Sequence, residues 1–141
     1  MSNINFEDCL YFSSARFNRI VTQMSDQEFK RLGLSSTSAF ILMALNADDV
    51  VSPSEIADQL YLDRSTITRF LDKLERDGYL TRTADGRRVH VQLTSAGKLL
   101  QPQLKIIWSA LNEAYQQLLG KPSEERIRTL LNTTYNHITK K

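Results

Sequence analysis

SPSEIADQLYLDRSTITRFLDKLERDGYLTRTADGRRVHVQLT, residues 52–94, holds two short helical patterns separated by a tight turn and then a change of period. Ser52 is an N-cap residue, followed by proline at the first helical position and by Glu55 three residues on, the arrangement of a capping box. Ile56, Ala57 and Leu60 form the inward side of this helix, and Tyr61 to Asp63 leave room only for a short turn. Asp63 caps the next helix, which runs to Asp77 and stops at Gly78. From Tyr79 to Leu93 the period drops to two: Val89, Val91 and Leu93 alternate with Arg88, His90 and Gln92. Asp85-Gly86 is a dipeptide that favours a type I′ hairpin. Helix, turn, helix and hairpin in this order predict a winged helix-turn-helix.

Upstream, Phe6, Leu10, Ser13, Phe17, Ile20 and Met24 recur at spacings of three and four, which predicts one long first helix with a mostly apolar stripe. The stretch Arg31 to Ser35 breaks it. Ser35 or Ser36 can cap a second helix carrying Phe40, Ile41, Met43, Ala44 and Leu45, and the polar Asn46 to Val51 segment reads as a loop. Downstream, Thr94 or Ser95 caps a fifth helix with Leu100, Leu104, Ile107, Leu111, Tyr115 and Leu118 on one side, ended by Gly120-Lys121-Pro122. Ser123-Glu124-Glu125 opens a sixth, with Ile127, Leu130, Leu131 and Ile138 apolar. The terminal helices carry more apolar stripe than a lone winged helix needs, and such surplus marks a dimer interface.

The expected fold is therefore mainly α with a small two-stranded β wing. It is one domain over residues 1–141, in which a winged helix-turn-helix at 35–94 is flanked by N- and C-terminal dimerisation helices at 1–33 and 95–141. A chain of 141 residues, 41% hydrophobic, suits one domain with a real core. The single cysteine, Cys9, cannot form an internal disulfide, and no apolar run is long enough to span a bilayer or to act as a leader. These features predict a cytoplasmic protein without a membrane partner.

The formal charge of +2 is too small to decide anything, but its distribution is informative. Tyr61 to Lys98 holds eight Lys/Arg against five Asp/Glu, a local +3 that accounts for the whole excess. On the fourth helix Ile67, Leu71 and Leu74 share a narrow arc, so at about 100° per residue the opposite arc holds Ser65, Arg69 and Asp72, with Thr68 and Lys73 at its margins. Arginine can bond guanine through O6 and N7, which makes Arg69 the expected base reader and Ser65 and Thr68 its support. Arg64 and Thr66 lie in the first turn, where free backbone N–H groups favour phosphate. At the hairpin tip Arg87 and Arg88 are placed for a narrow, strongly negative minor groove. A merely solvated helix face and a merely soluble edge strand are the competing readings, and the preceding turn and following wing speak against them. Asp85 is expected to bond backbone or an arginine and so shape the turn.

Taken together, Leu34 to Leu45, Ile56-Ala-Asp-Gln-Leu60, Asp63 to Gly78, and Asp85-x-Arg87 ahead of Val91-Gln-Leu-Thr94-x-x-Gly97 resemble the MarR family of bacterial transcription regulators over nearly the whole chain. The resemblance implies a homodimer joined through its terminal helices that binds a pseudo-palindromic operator in double-stranded DNA and represses a nearby promoter. It also implies release by a small, often aromatic or phenolic, effector between the dimerisation and winged-helix parts. By this likeness Ser65, Thr66 and Arg69 fall on recognition-helix positions and Arg87 on the wing arginine. The segment between Arg82 and Asp85 is shorter than is usual in the family.

For the effector, Phe12, Arg16, Phe40 and Trp108 offer aromatic walls and one cation. Some family members sense peroxides through a first-helix cysteine, so a thiol switch at Cys9, near Tyr11, is an alternative; beside Phe6 and Leu10 a small packing cysteine is the plainer reading. With only His90 and His137, and no Cys/His cluster, phosphate-cradling loop or nucleophile elbow, the sequence predicts neither an enzyme nor a metal site nor a cofactor. A winged-helix protein-interaction module without DNA binding would carry an apolar or acidic face where Ser65, Thr68, Arg69 and Lys73 stand.

Overall fold

The computed structural model describes residues 3–140. In chain order these form α1 (Leu10–Phe29), α2 (Ser36–Ala44), α3 (Pro53–Leu60), α4 (Arg64–Arg76), β1 (Leu80–Asp85), β2 (Arg88–Leu93), α5 (Ser95–Leu119) and α6 (Lys121–Thr139). The mainly α architecture with a two-stranded wing is the one expected. Two compact units are present, one ending at Lys105 and the other beginning at Ile106, within α5.

The core of the first unit follows from the apolar spacings. Phe29 of α1, Ala39, Ile41 and Leu42 of α2, Ile56 and Ala57 of α3, Ile67, Leu71 and Leu74 of α4, and Leu80, Val91 and Leu93 of the strands are all buried. Burying one such aliphatic side chain contributes about 1.5–3 kcal/mol. Phe29 and Phe40 meet edge to face with centroids 5.6 Å apart, and Gln101 of α5 closes the end of α2 by donating to the Leu42 carbonyl at 2.8 Å. In the second unit Ile107 and Leu111 are buried, whereas α6 has no buried residue.

Helix starts follow the caps. Ser35 Oγ accepts from Ser38 N–H, Ser52 and Glu55 complete the capping box, and Asp63 caps α4. Tyr61 adopts a left-handed conformation, φ 57°, which reverses the chain between α3 and α4. Val51, read as loop, bridges Val91 on the open edge of β2, with N–H to O distances of 3.0 and 2.7 Å in the two directions.

Three expectations need correction. The first helix does not begin at Phe6: Phe6–Asp8 form a 3-10 turn capped by Asn5, Cys9 is extended, and the α-helix starts at Leu10. Its far end agrees with the expected break, since α1 passes at Phe29 into a 3-10 turn over Lys30–Leu32 that closes on left-handed Gly33. At the hairpin, Asp85 pairs with Arg88, so the two-residue loop is Gly86-Arg87 and not Asp85-Gly86. Only Gly86 has positive φ, 63°, which rules out type I′ and matches the first-position requirement of type II′. Finally, Pro122 does not end α5 but sits in the first turn of α6, where its missing N–H has no helical partner to lose.

Behind the wing, Thr94 joins three elements: its hydroxyl donates to the Gly78 carbonyl at 2.6 Å and accepts from Gly97 N–H, while its own N–H reaches the Tyr79 carbonyl. A Cβ at position 97 would stand 2.2 Å from that Tyr79 oxygen, so the first turn of α5 can approach the end of α4 only because Gly97 has none.

Candidate nucleic-acid interface

Helix α4 divides cleanly. Ile67, Leu71 and Leu74 are wholly buried, and Arg64, Ser65, Thr68, Arg69, Asp72 and Lys73 are exposed on the remaining surface. Because the α3–α4 turn and the core fix its buried face, the helix presents the opposite face in one set direction.

The first turn is organised by Asp63. Its carboxylate accepts from Thr66 N–H at 3.0 Å and from Ser65 Oγ at 3.3 Å. Thr66, through its hydroxyl and then its backbone N–H, holds the Asp63 carboxyl below the ordinary carboxylate range, with Ser65 and the charge of Arg69 acting the same way. The Thr66 N–H is therefore already engaged, and a phosphate approaching this turn meets a carboxylate there. Arg69 extends over the Phe70 ring, 5.6 Å from its centroid, and makes no ion pair within 4 Å among the described residues. Lys73 pairs with Asp77 at 3.3 Å, a contact between half-exposed groups that a stronger anion can replace.

The wing brings further cations alongside. Arg64 of α4, Arg87 of the turn and Arg88 of β2 line one cleft of about 430 Å³, closed on another side by Ser52, Pro53, Ser54 and Glu55 at the start of α3. Three arginines from two parts of the chain thus border one cleft, which sequence order alone does not reveal. His90 lines the same cleft and lies 3.8 Å from Asp85, so Asp85 faces this imidazole in place of the backbone or arginine contact expected for it.

One arginine beside this surface is absent from the residues the sequence singles out. Arg82 of β1 is mostly buried and donates to Asp72 at 2.5 Å and to Glu75 at 2.9 and 3.3 Å, while its backbone N–H donates to Glu75 at 2.9 Å. The backbone N–H of Arg82, then its guanidinium, holds the Glu75 carboxyl below its usual range. Burial alone would lower the Arg82 pKa, but the bonds to Glu75 and Asp72 outweigh it and raise the value. The signal was present: with period two, Arg82 shares the inward side of β1 with Leu80, and an inward arginine demands acids such as Asp72 and Glu75 on the facing helix.

The remaining predicted residues fall elsewhere. Phe12 packs on Phe6 with centroids 5.6 Å apart, and Arg16 lies 5.6 Å from the Phe12 ring while pairing with Glu7 at 2.9 Å. Phe40 is half-buried against Phe29, and Trp108, in the second unit, is 46% exposed. Cys9 is exposed in the single chain, at the extended residue that precedes α1. No group of three or more His, Cys, Asp or Glu is placed to hold a metal, and no helix is long and apolar enough to cross a membrane, among the described residues.

Comparison with known proteins agrees with this geometry. The MarR family model matches residues 34–89. The HTH-type transcriptional regulator SarZ of Staphylococcus epidermidis is 30% identical over 135 residues, spanning 93% of this chain and 85% of SarZ. Among solved structures, Bordetella bronchiseptica BpsR, described in terms of regulation of its DNA binding by 6-hydroxynicotinic acid, superposes with a TM-score of 0.84 at 17% identity over 96% of this chain and 99% of BpsR. Staphylococcus aureus MepR in complex with DNA gives 0.79 at 20% identity over 93% and 98%. At these identities the two structures establish the fold, and SarZ establishes the kinship: the chain belongs to the MarR family of DNA-binding transcriptional regulators.

Proposed function

We propose that this chain acts as a homodimer on a pseudo-palindromic operator, with two α4 helices entering successive major grooves roughly ten base pairs apart and the wings on the flanks. In this reading Arg69 reads a base, Ser65, Thr66 and Thr68 support it, Lys73 exchanges Asp77 for a phosphate, and Arg64, Arg87 and Arg88 hold the backbone or the adjoining minor groove. The observation that carries it is the convergence of Arg64, Arg87 and Arg88 on one cleft beside an Arg69 left without a carboxylate partner. Dimerisation through residues 1–33 and 95–141 is supported by the apolar side chains left in water: Leu10, Leu130, Leu131 and Ile138 are each more than half exposed. The DNA-binding part is then residues 35–94, and the place of work is the cytoplasm, where a bacterial chromosome lies.

Repression relieved by a small aromatic effector is the regulatory reading we favour. BpsR, similar in fold, is regulated by 6-hydroxynicotinic acid, and the Phe12–Arg16 contact offers a cation against an aromatic wall. A thiol switch is a second reading, favoured by the exposure of Cys9: peroxide would then release DNA from the wild type and spare Cys9→Ser, and equal release from both excludes it.

The test of the DNA reading is a salt titration of duplex binding. Wild-type affinity should fall linearly on a log–log plot, and Arg87→Ala should flatten that slope by about one unit while weakening all duplexes alike. Failure of the wild type to bind any duplex at low salt would contradict it.

A further inference from the structure

Asp72 is a problem for any account in which α4 enters a groove. It lies on the same stripe as Ser65 and Arg69, three residues beyond Arg69 and four before Arg76, and its side chain is 56% exposed. A carboxylate there repels phosphate, and at these spacings it can capture either arginine as an intrahelical pair. Neither capture is seen. Asp72 is instead taken by Arg82, which arrives from β1 and holds Glu75 with the same guanidinium.

We propose that Arg82 is a positioning residue for DNA recognition: by engaging Asp72 it cancels the one carboxylate on the reading stripe and leaves Arg69 free for the duplex. The geometry suits this task better than mere bracing. Glu75 already ties α4 to the backbone N–H of Arg82 at 2.9 Å, so the strand is pinned to the helix whatever side chain stands at 82. The guanidinium adds a branch to Asp72 that no packing need explains, because that acid lies at the solvent side of the contact. What the task requires at Asp72 is a positive charge, and the planar fork of Arg82 brings one there while also holding Glu75.

The inference rests on the reading of α4 as the groove helix, and the experiment separates the two. A duplex is selected from a random pool by the wild-type protein, and affinities for it and for an unselected duplex are measured for wild type, Arg82→Gln, Asp72→Asn and the double variant, with Tm followed throughout. We expect Arg82→Gln to lose on the order of tenfold in affinity for the selected duplex and part of its discrimination. Asp72→Asn alone should bind as tightly as wild type or tighter, and adding it to Arg82→Gln should restore most of the loss. An Arg82→Gln variant that binds like wild type, or a loss that Asp72→Asn leaves untouched, overturns the proposal. Should Arg82→Gln not fold, Arg82→Lys, which keeps one cation beside Asp72, is expected to bind within a few-fold of wild type; a folded lysine variant with tenfold loss would equally overturn it. If the wild type selects no duplex, the groove reading itself has failed.

Discussion

Helices α4 and α6 are both amphipathic, yet they stand in opposite conditions. On α4 the apolar stripe is wholly buried and the polar side is left to water. On α6 nothing is buried, and Leu130, Leu131, Tyr135 and Ile138 are 47–74% exposed. One amphipathic helix has its apolar partners inside the chain, and the other has them in short supply. The winged unit buries its apolar stripe in a single copy, while the C-terminal helix leaves its own in water; in our reading the first meets DNA and the second meets another copy of the chain.

Substitutions in each stripe should act on different properties. Leu71→Ala should destabilise the fold by about 2–5 kcal/mol, because it opens a cavity in a closed core; chemical denaturation reads this directly. Replacing Leu130 and Leu131 together by Asp should leave a folded winged unit but shift sedimentation to a monomer. Operator affinity should then fall about a hundredfold, because the second half-site is no longer held at high effective concentration. A dimer that survives this change would place its interface elsewhere.

A smaller effect sharpens the electrostatic side of α4. Glu75 has a folded pKa below its ordinary 4.5, so its stabilising contribution is present above that value and is lost as pH falls through the lower folded one. Since the group is partly exposed, the loss should be at most about 1 kcal/mol. Denaturation midpoints below pH 4.5 should show it in the wild type, and Glu75→Gln should flatten it.

What could be read from sequence was what local chemistry controls. The capping box at Ser52, the Asp63 cap and the Ile67–Leu71–Leu74 arc each depend on residues within one or two turns, and all appear as expected. Contacts that depend on register were harder. Whether Asp85-Gly86 or Gly86-Arg87 forms the hairpin loop is settled by pairing Leu80 with Leu93, a choice the core makes and the turn residues do not. The start of α1 was misread because Phe6 continues the apolar spacing, although Asn5 caps a 3-10 turn and Cys9 interrupts the helix. The Arg82 cluster joins groups seven and ten residues apart across a helix–strand junction: period two turns Arg82 inward with Leu80, but which acids it meets follows only from how β1 packs on α4.

In our reading the polar side of α4 reads bases. Its most direct test is to measure Arg69→Ala and wild type against duplexes that each carry one altered base pair. We expect the wild type to lose about 1–3 kcal/mol at one base pair of each half-site, and Arg69→Ala to be indifferent to that pair while keeping its other preferences. A variant weakened by the same factor on every duplex, with all preferences intact, would contradict the account.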